Sequence, residues 1–216
     1  MRRLLLVRHG QTADNVAGRV QGQGGAGLDE VGRVQAAHLA RWLAATHPDA
    51  HLVSSDLQRC RETAAPLADV LGAPVRLDPR LRERHFGRWQ GQVHGDIAAR
   101  DPGLWERFRQ GDDVVAEVGG ESSPELSARV VAALLDLAAV DDPASVVVVS
   151  HGGSIWHGLH ALLGLPDRTL GPVANAGVTE VGVAGASRVL FSWNRTGHLA
   201  GAAGTVPSIT VPGRAG

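Results

Sequence analysis

The sequence predicts an α/β fold: a three-layer αβα sandwich with a central, mostly parallel sheet and helices on both faces. Residues 4–7 and 146–149 are each runs of four apolar residues, a pattern typical of strands buried on both faces. Segments in which apolar residues recur at helical spacing lie between the predicted strands. This alternation favours parallel strands joined by right-handed crossovers, which place helices on both faces of the sheet.

The predicted elements follow one another as far as residue 199. Strands are predicted at residues 4–7, 51–55, 75–77, 146–149, 178–184 and 189–193, the last two as a hairpin. Helices are predicted at residues 29–43, from 55 onward, in one or two pieces within 93–110, at 124–140 and at 154–163. Asp29 is a suitable N-cap for the first helix. Ser55 and Gln58 have the spacing of a capping box for the second, which Pro66 should kink or end.

Residues 1–199 are predicted to form one domain, because no linker interrupts the elements. Residues 200–216 contain mainly glycine, alanine and proline without an apolar face, and we expect a disordered C-terminal tail there. Residues 111–122 are acidic and rich in glycine, which favours a mobile loop or lid. Monomer and homodimer both stay open, and the hairpin at 178–193 is a candidate interface.

Composition excludes several classes of protein. The 216 residues carry a formal net charge of −1, which argues against a partner such as nucleic acid. The single cysteine, Cys60, rules out a disulfide framework and a cysteine-rich zinc site. No run approaches the roughly 20 apolar residues of a membrane span, and no signal-peptide pattern is present. We therefore expect a cytoplasmic protein with no membrane partner.

The two strongest predicted strands both end in His-Gly. Arg8-His9-Gly10 follows the first, and Ser150-His151-Gly152 follows the strand at 146–149. Carboxyl ends of parallel strands lie at one edge of the sheet, where α/β proteins bind ligands. His9 can act there as a nucleophile or base. A metal site is disfavoured, because Arg8 adjoins one histidine and no third ligand stands at a suitable spacing.

A series of motifs in chain order carries a family resemblance. They are Arg8-His9-Gly10-Gln11-Thr12, Asn15, Gln21-Gly22, Gly32-x-x-Gln35-Ala36, Ser54-Ser55-Asp56-Leu57-x-Arg59-x-x-x-Thr63-Ala64, Leu81-x-Glu83-x-x-x-Gly87-x-Trp89-x-Gly91, Gly120-Glu121-Ser122 and Ser150-His151-Gly152-Gly153. Over residues 4–165 they resemble the histidine phosphatase (phosphoglycerate mutase-like) superfamily. Each motif alone is weak, but the ordered set is specific.

The resemblance implies a phosphomonoester hydrolase of the histidine acid phosphatase type. His9 would attack phosphorus and carry a phosphohistidine intermediate. Glu83 would protonate the leaving alcohol and then activate water. Arg8, Arg59 and His151 would complete the catalytic set by holding the phosphoryl oxygens. The substrate-binding residues would be Arg8, Asn15, Gln21, Arg59, His151 and Gly152. No metal or cofactor is expected, because arginines neutralise the phosphate.

Other interpretations of these residues stay open from the sequence. Arg59 on an amphipathic helix is also compatible with a surface arginine, and Arg61 fits that description. Glu83 is also compatible with an ion pair to Arg82 or Arg84. Cys60 is expected to be an inert core residue.

A phosphoglycerate mutase and a non-catalytic phosphate-binding module are the alternative functions. Glu83-Arg84-His85-Phe86-Gly87 is similar to the mutase branch. However, the chain has no lysine to clamp a bisphosphate, its only nearby basic pair is Arg107-x-Arg109, and Gly153 stands where mutases have Asn. Water is therefore favoured as the acceptor, which makes a phosphatase the preferred interpretation. Retention of His9, Glu83 and His151 argues against a non-catalytic module.

The expected partner is a small phosphorylated metabolite, such as a sugar phosphate or a hydroxy-acid phosphate. An outer pocket is predicted around aromatic and histidine side chains together with the loop 111–122. These side chains are Trp89, Trp105, Trp156, His85 and His157.

Overall fold

The computed structural model describes residues 1–140, 142 and 144–201, and six strands and seven α-helices lie within them. The strands are β1 (Arg2–Arg8), β2 (His51–Ser54), β3 (Val75–Leu77), β4 (Val146–Ser150), β5 (Val178–Ala184) and β6 (Ser187–Arg195). The helices are α1 (Ala13–Val16), α2 (Glu30–Thr46), α3 (Gln58–Leu71), α4 (His94–Arg100), α5 (Pro102–Gln110), α6 (Ser123–Ala139) and α7 (Gly152–Leu163). Short 3₁₀ turns lie at Pro79–Leu81, Gly87–Trp89, Val115–Val118 and Gly197–Leu199. The predicted tail, from residue 202 on, lies outside the described residues.

The strands form one sheet in the order β3-β2-β4-β1-β5-β6. The first four strands in that order are parallel, whereas β5 and β6 run antiparallel to their neighbours. In the β1–β4 register, Arg8 lies opposite Ser150. His9 and His151 therefore leave the sheet side by side at one edge. The predicted fold class is confirmed.

The apolar residues of the strands pack in two hydrophobic cores, one on each face of the sheet. Leu4 and Leu6 of β1 pack with residues of α6 and α7 on one face. Leu5 and Val7 pack with α2 and α3 on the other. Successive side chains of a strand point to opposite faces, so only a continuous apolar run satisfies both layers. This explains why apolar and polar residues do not alternate along β1 and β4.

A third apolar cluster, here called the accessory cluster, lies apart from the sheet. Its buried members are Val20, Trp89, Ile97, Val114, Val115 and Val118, with Phe86, Leu104, Trp105 and Phe108 packed against them. Within the segment 111–122, three valines are buried in this cluster although the flanking residues are acidic or glycine. The segment is thus anchored by apolar contacts that its composition does not suggest.

Several predicted helix boundaries are confirmed. The Asp29 side chain accepts the Gly32 N–H at 2.7 Å and caps α2. The break predicted near residue 102 lies at Asp101, with Pro102 in the first turn of α5. None of the helices in the described part of the chain is long and apolar enough to cross a bilayer.

The capping box predicted for α3 is wrong, and so is an end of the helix at Pro66, whereas a kink at Pro66 stays a prediction. The helix begins at Gln58 with Leu57 as its N-cap, without a side-chain cap. Ser55 instead accepts the Leu57 N–H at 3.3 Å and lies three residues before the helix begins at Gln58. Pro66 lies inside a helix that continues to Leu71. The buried face of α3 packs against the sheet on both sides of Pro66, and this packing offsets the one backbone hydrogen bond that proline removes.

Candidate active site

The two sheet-edge histidines meet as the strand pairing requires. The ring centroids of His9 and His151 are 5.3 Å apart, and both residues are almost completely buried. The His9 N–H donates to the Ser150 carbonyl at 2.9 Å, which continues the β1–β4 pairing one residue beyond the strand. The sheet therefore fixes the relative position of the two rings.

His9 is held in the form that a nucleophile needs. Its Nδ1 lies 2.7 Å from the Gly10 carbonyl oxygen. A carbonyl only accepts hydrogen bonds, so Nδ1 carries the proton and Nε2 carries a free lone pair. Burial, with smaller contributions from the Arg59 and Arg8 guanidiniums, lowers the pKa of His9 well below its usual value. The ring is therefore neutral near pH 7.

Gly10 is required by the close approach of two segments. A Cβ at Gly10 would lie 2.7 Å from the Gly32 carbonyl oxygen of α2. Its N–H donates to Thr63 Oγ1 at 3.0 Å, which ties the turn to α3. The absence of a side chain thus allows the loop after β1 to lie directly on α2 and α3.

Asn175 is a buried polar residue near His9 that the sequence analysis missed. Its Nδ2 donates to the His9 carbonyl oxygen at 3.0 Å and lies 3.2 Å from Asn15 Oδ1. The Ala176 N–H also donates to the His9 carbonyl, at 3.2 Å. The segment before β5 therefore anchors the backbone of the proposed nucleophile. An isolated asparagine in an irregular segment offers no sequence pattern that would have indicated this.

Arg8 supplies a buried positive charge at the end of β1. Its Nη1 donates to the Val173 carbonyl at 2.7 Å. Burial lowers the pKa of Arg8 to about 10, an effect that Glu83 partly opposes. The guanidinium therefore stays charged at neutral pH, next to His9.

Arg59, in the first turn of α3, joins the same pocket. Its Nε donates to His151 Nδ1 at 3.2 Å, while Nη1 and Nη2 donate to the Gly24 and Gly22 carbonyls at 2.6 and 2.7 Å. Two of the five N–H donors of the guanidinium make no hydrogen bond to the part of the chain that the structure describes, and they remain for an anion. Arg59 is 2% exposed, so the interpretation as a surface arginine is wrong, whereas Arg61 is exposed as expected.

His151 lies beside His9 with both ring nitrogens engaged. Because Arg59 Nε–H can only donate, His151 Nδ1 is the acceptor, and Nε2–H donates to Ser55 Oγ at 2.9 Å. Burial and the nearby Arg59 lower the pKa of His151 well below its usual value. The ring does not line the cavity described below. In this state it supports Arg59, and its contact with phosphate stays a prediction.

Cys60 lies next to His151 without a reactive environment. Its Sγ is 3.3 Å from His151 Nε2, the residue is fully buried, and burial raises the pKa of the thiol to about 12. These properties agree with an inert core residue.

Glu83 reaches the pocket through the N-terminus of α7. Its Oε2 accepts the Gly153 N–H at 3.1 Å, and Oε1 accepts the Ser154 and Arg84 N–H groups at 3.1 and 2.9 Å. A Cβ at Gly153 would lie 2.6 Å from Glu83 Oε1. The glycine that stands where mutases have Asn therefore leaves room for this carboxylate.

The alternative of an ion pair between Glu83 and Arg82 or Arg84 is wrong. Arg82 forms its ion pair with Asp56, at 2.5 Å, and Arg84 pairs with Asp113. The Glu83 carboxylate is held by backbone N–H groups instead, as described above. It is thereby oriented toward the pocket rather than toward solvent.

One cavity of about 1180 Å³ opens over these residues. Of the predicted site, Arg8, His9, Asn15, Gln21, Arg59, Glu83 and Gly152 line it. The Asn15 Oδ1 is occupied by the Thr12 N–H at 3.2 Å and by Asn175, so its Nδ2 is the group left for a ligand. Gln21 is 9% exposed and its Oε1 makes no hydrogen bond within the described residues.

The outer part of the cavity matches the prediction only in part. Trp156, His157 and residues 111–113 line it as predicted, together with Phe86 and Phe108. The prediction is wrong for Trp89, Trp105 and His85, which do not line it. Trp89 is 1% exposed in the accessory cluster and donates its indole N–H to Asp101 at 2.9 Å. Trp89 and Trp105 pack in the accessory cluster instead, a second core that no pattern in the sequence indicates.

Comparison with known proteins identifies the family. A model of the histidine phosphatase superfamily (branch 1) matches residues 4–196. The chain is 42% identical over 191 residues to a glucosyl-3-phosphoglycerate phosphatase of Mycobacterium tuberculosis, covering 83% of this chain and 85% of the relative. It is 33% identical over 198 residues to a metal-independent phosphoserine phosphatase of Arabidopsis thaliana, covering 91% and 82%.

A solved structure agrees with these matches. The mycobacterial glucosyl-3-phosphoglycerate phosphatase in complex with VO3 superposes with a TM-score of 0.83 at 39% identity, covering 91% of this chain and all of the other. This chain belongs to the histidine phosphatase superfamily. The predicted family is confirmed, and so is the predicted class of enzyme, a phosphomonoester hydrolase.

Proposed function

We propose that this protein hydrolyses a small organic phosphate in two displacements, without a metal, through a phosphohistidine on His9. The observation that carries the proposal is the hydrogen bond from His9 Nδ1 to the Gly10 carbonyl oxygen, 2.7 Å long. It leaves Nε2 as the nucleophilic nitrogen of a neutral ring. That ring lines a cavity shared with two buried arginines, Arg8 and Arg59.

The first displacement forms the phosphohistidine. His9 Nε2 attacks phosphorus, the P–N bond forms, and the bond from phosphorus to the ester oxygen breaks. Arg8 and Arg59 hold the non-bridging oxygens, where the negative charge of the transition state is spread. Glu83 gives a proton to the departing oxygen, so the product leaves as a neutral alcohol.

The second displacement returns the enzyme to its resting state. Glu83, now a carboxylate, takes a proton from a water molecule whose oxygen attacks phosphorus. The P–N bond breaks and inorganic phosphate is released. Asn15, Gln21, His151 and the Gly152 backbone complete the proposed set that holds phosphate.

The cavity favours a substrate larger than a simple amino-acid phosphate. Its volume of about 1180 Å³ extends from His9 to Trp156, Phe86 and Phe108, whereas a phosphoryl group needs only the inner end. Two relatives are named as phosphatases of glucosyl-3-phosphoglycerate and of phosphoserine. We place the substrate among hydroxy-acid phosphates that carry a further polar group, such as a sugar.

The charges of the outer cavity argue against the mutase alternative. Arg84 pairs with Asp113 and Arg19 pairs with Asp14. The pair Arg107 and Arg109 is absent from the cavity wall and is bound to acidic neighbours. Of the three outer arginines that a second phosphate would meet, Arg19 and Arg84 already have carboxylate partners, and Arg168 donates to the Gln110 carbonyl. This arrangement favours water as the acceptor.

The remaining properties are also proposals. Residues 1–199 are proposed to act as one domain in the cytoplasm, without nucleic-acid or membrane partners. Monomer and homodimer are both compatible with a cavity built from a single chain.

A panel of phosphomonoesters tests the proposed function. Glucosyl-3-phosphoglycerate, 3-phosphoglycerate and phosphoserine are assayed for phosphate release with and without chelator, with vanadate as an inhibitor. We expect activity that survives chelation, competition by vanadate, and the highest kcat/KM for the glycosylated ester. Loss of activity that returns with added metal contradicts the metal-free mechanism, and isomerised product without net phosphate release favours a mutase.

A further inference from the structure

The Arg129 side chain of α6 has all five of its N–H donors occupied around Glu83. Nε and Nη2 bind the two carboxylate oxygens of Glu121 at 2.5 and 2.8 Å. Nη1 donates to the Arg80 and Arg82 carbonyls at 2.7 and 2.6 Å, and Nη2 donates to the Glu83 carbonyl at 3.0 Å. The guanidinium therefore joins one carboxylate to three backbone carbonyls of the loop that carries Glu83.

Glu121 extends the same attachment to the next two residues of the loop. Its N–H donates to the His85 carbonyl at 2.8 Å, and its own carbonyl accepts Arg84 Nε at 2.7 Å. The segment 80–85 is thus tied by Arg129 on one side of Glu83 and by Glu121 on the other. The side chains of Arg129 and Glu121 are only 20% and 15% exposed, so solvent screens this pair weakly.

Glu83 is consequently held at both ends. Arg129 binds its backbone carbonyl, while the Gly153 and Ser154 N–H groups at the start of α7 bind its carboxylate. A general acid must lie within hydrogen-bond reach of the departing oxygen, and small displacements of a catalytic group reduce the rate steeply. The backbone attachment sets where the carboxylate can reach.

We propose that Arg129, oriented by Glu121, is a positioning residue for the general acid Glu83. The inference rests on the proposed function in taking Glu83 as the acid. Lysine cannot replace Arg129, because an ammonium has three donors and lacks the planar fork that binds a carboxylate at two points. The Gly120-Glu121-Ser122 motif thereby acquires a catalytic consequence beyond the N-cap that Ser122 provides for α6.

The dependence of kcat/KM on the leaving group separates positioning from general loosening of the fold. An alkyl phosphate needs its leaving oxygen protonated, whereas 4-nitrophenyl phosphate releases a stable phenolate that does not. For Arg129→Gln and Arg129→Lys we expect kcat/KM to fall on the order of 10²-fold for the alkyl ester. We expect only a several-fold fall for the nitrophenyl ester. Equal losses on both esters overturn the proposal.

Asp136→Asn is the matched control. Asp136 also lies on α6 and also binds the Glu83 loop, through an ion pair with Arg80 at 2.6 Å, but it is exposed and does not contact Glu83. We expect its ratio of alkyl to nitrophenyl activity to equal that of the wild type. A shifted ratio in this variant would mean that any loosening of the loop has the same effect, and would overturn the proposal.

Two further variants keep the proposal and the proposed function distinguishable. Glu83→Gln should lose activity on the alkyl ester and keep most of its activity on the nitrophenyl ester. The double variant Glu83→Gln/Arg129→Gln should be no slower on the alkyl ester than Glu83→Gln alone. Additive losses overturn the positioning role. A Glu83→Gln enzyme that is equally active on both esters would instead remove Glu83 as the acid. If Arg129→Gln unfolds, Glu121→Gln provides the same test, because it weakens the fork and keeps the backbone bonds.

Discussion

The inner pocket and the outer cavity are built in different ways. Arg8, His9, Arg59 and His151 are each at most 4% exposed and bonded to backbone or to one another. The outer wall combines half-buried aromatic residues, such as Trp156 and Phe108, with exposed charges such as Asp112. Arg8, His9 and His151 lie at the ends of the central strands and Arg59 lies on α3, whereas the outer aromatic residues belong to the accessory cluster and to α7. We therefore expect phosphoryl chemistry and substrate choice to reside in structurally separable parts.

The largest expected effect comes from the nucleophile. His9→Ala should lower the rate of phosphate release by at least about 10³-fold, because His9 is the proposed site of the covalent intermediate. Acid-labile phosphate trapped on the wild-type protein should be absent from the variant. His38→Ala, on α2 and away from the cavity, serves as the control. A His9→Ala protein that still becomes phosphorylated would show that the inner pocket works in another way.

Arg59 comes next, because it is proposed to bind phosphate and its charge also acts on the two histidines. Arg59→Met should lower kcat/KM by roughly 10²- to 10³-fold. Since the Arg59 charge lowers the pKa of His9, its removal should raise that pKa and move the acidic limb of the pH–rate profile to higher pH. Arg61→Met, an exposed arginine on the same helix, should change neither quantity. An unmoved acidic limb in Arg59→Met would contradict the electrostatic assignment.

The buried histidines should also make folding stability depend on pH. The folded pKa values of His9 and His151 lie well below the usual value, so below about pH 6.5 the unfolded chain binds more protons than the folded one. The contribution of these two histidines to the free energy of unfolding is fully present above that pH. It declines as the pH falls toward their pKa values in the folded protein. The decline is at most about 1.4 kcal/mol per pH unit for each histidine, about tenfold in the folding equilibrium.

Denaturant unfolding between pH 8 and pH 5 measures this dependence. His9→Asn should have a shallower decline than the wild type, while substitution of the outer-cavity residue Phe108 should leave the slope unchanged. Equal slopes for His9→Asn and the wild type would show that the inner pocket does not hold His9 neutral.

The smallest expected effect belongs to the outer cavity. His157 lines it on α7, and burial lowers the pKa of His157 to about 4, so the ring is neutral. His157→Ala should raise KM a few-fold for a glycosylated ester and leave phosphoserine unaffected, because a single neutral contact contributes about 1 kcal/mol. A matching fall in kcat for both esters would mean that the two regions are coupled.

The inner pocket was more accessible to sequence reasoning than the outer cavity. Arg8, His9 and His151 were predicted to meet because parallel strands end at one edge, a rule that needs no knowledge of loops. The assignment of Arg59 and Glu83 to the site depends on the family resemblance, since their positions depend on how α3 and α7 lie against the sheet. Their chemical roles stay predictions that the variants above address.

The features that were missed depend on contacts between distant segments. Asn175 binds His9 across 166 residues, and Arg129 binds the Glu83 loop across 46 to 49 residues. Neither contact leaves a periodic pattern. Trp89 and Trp105 were assigned to the wrong surface because a single sequence does not show which aromatic residues form a second core. Ser55 has the spacing of a cap, but its hydroxyl accepts the Leu57 N–H and the His151 Nε2–H instead.

The position of β1 has a consequence for biosynthesis. Its neighbours in the sheet are β4 and β5, so its residues pair with residues made more than 130 positions later. A nascent chain that has emerged only as far as residue 145 has neither neighbour and leaves Leu4, Leu5, Leu6 and Val7 without their sheet partners. Such long-range pairing slows folding and exposes apolar strands in the meantime. We therefore expect ribosome-bound intermediates to recruit chaperones until β5 emerges, and catalytic competence to appear only at that point in translation.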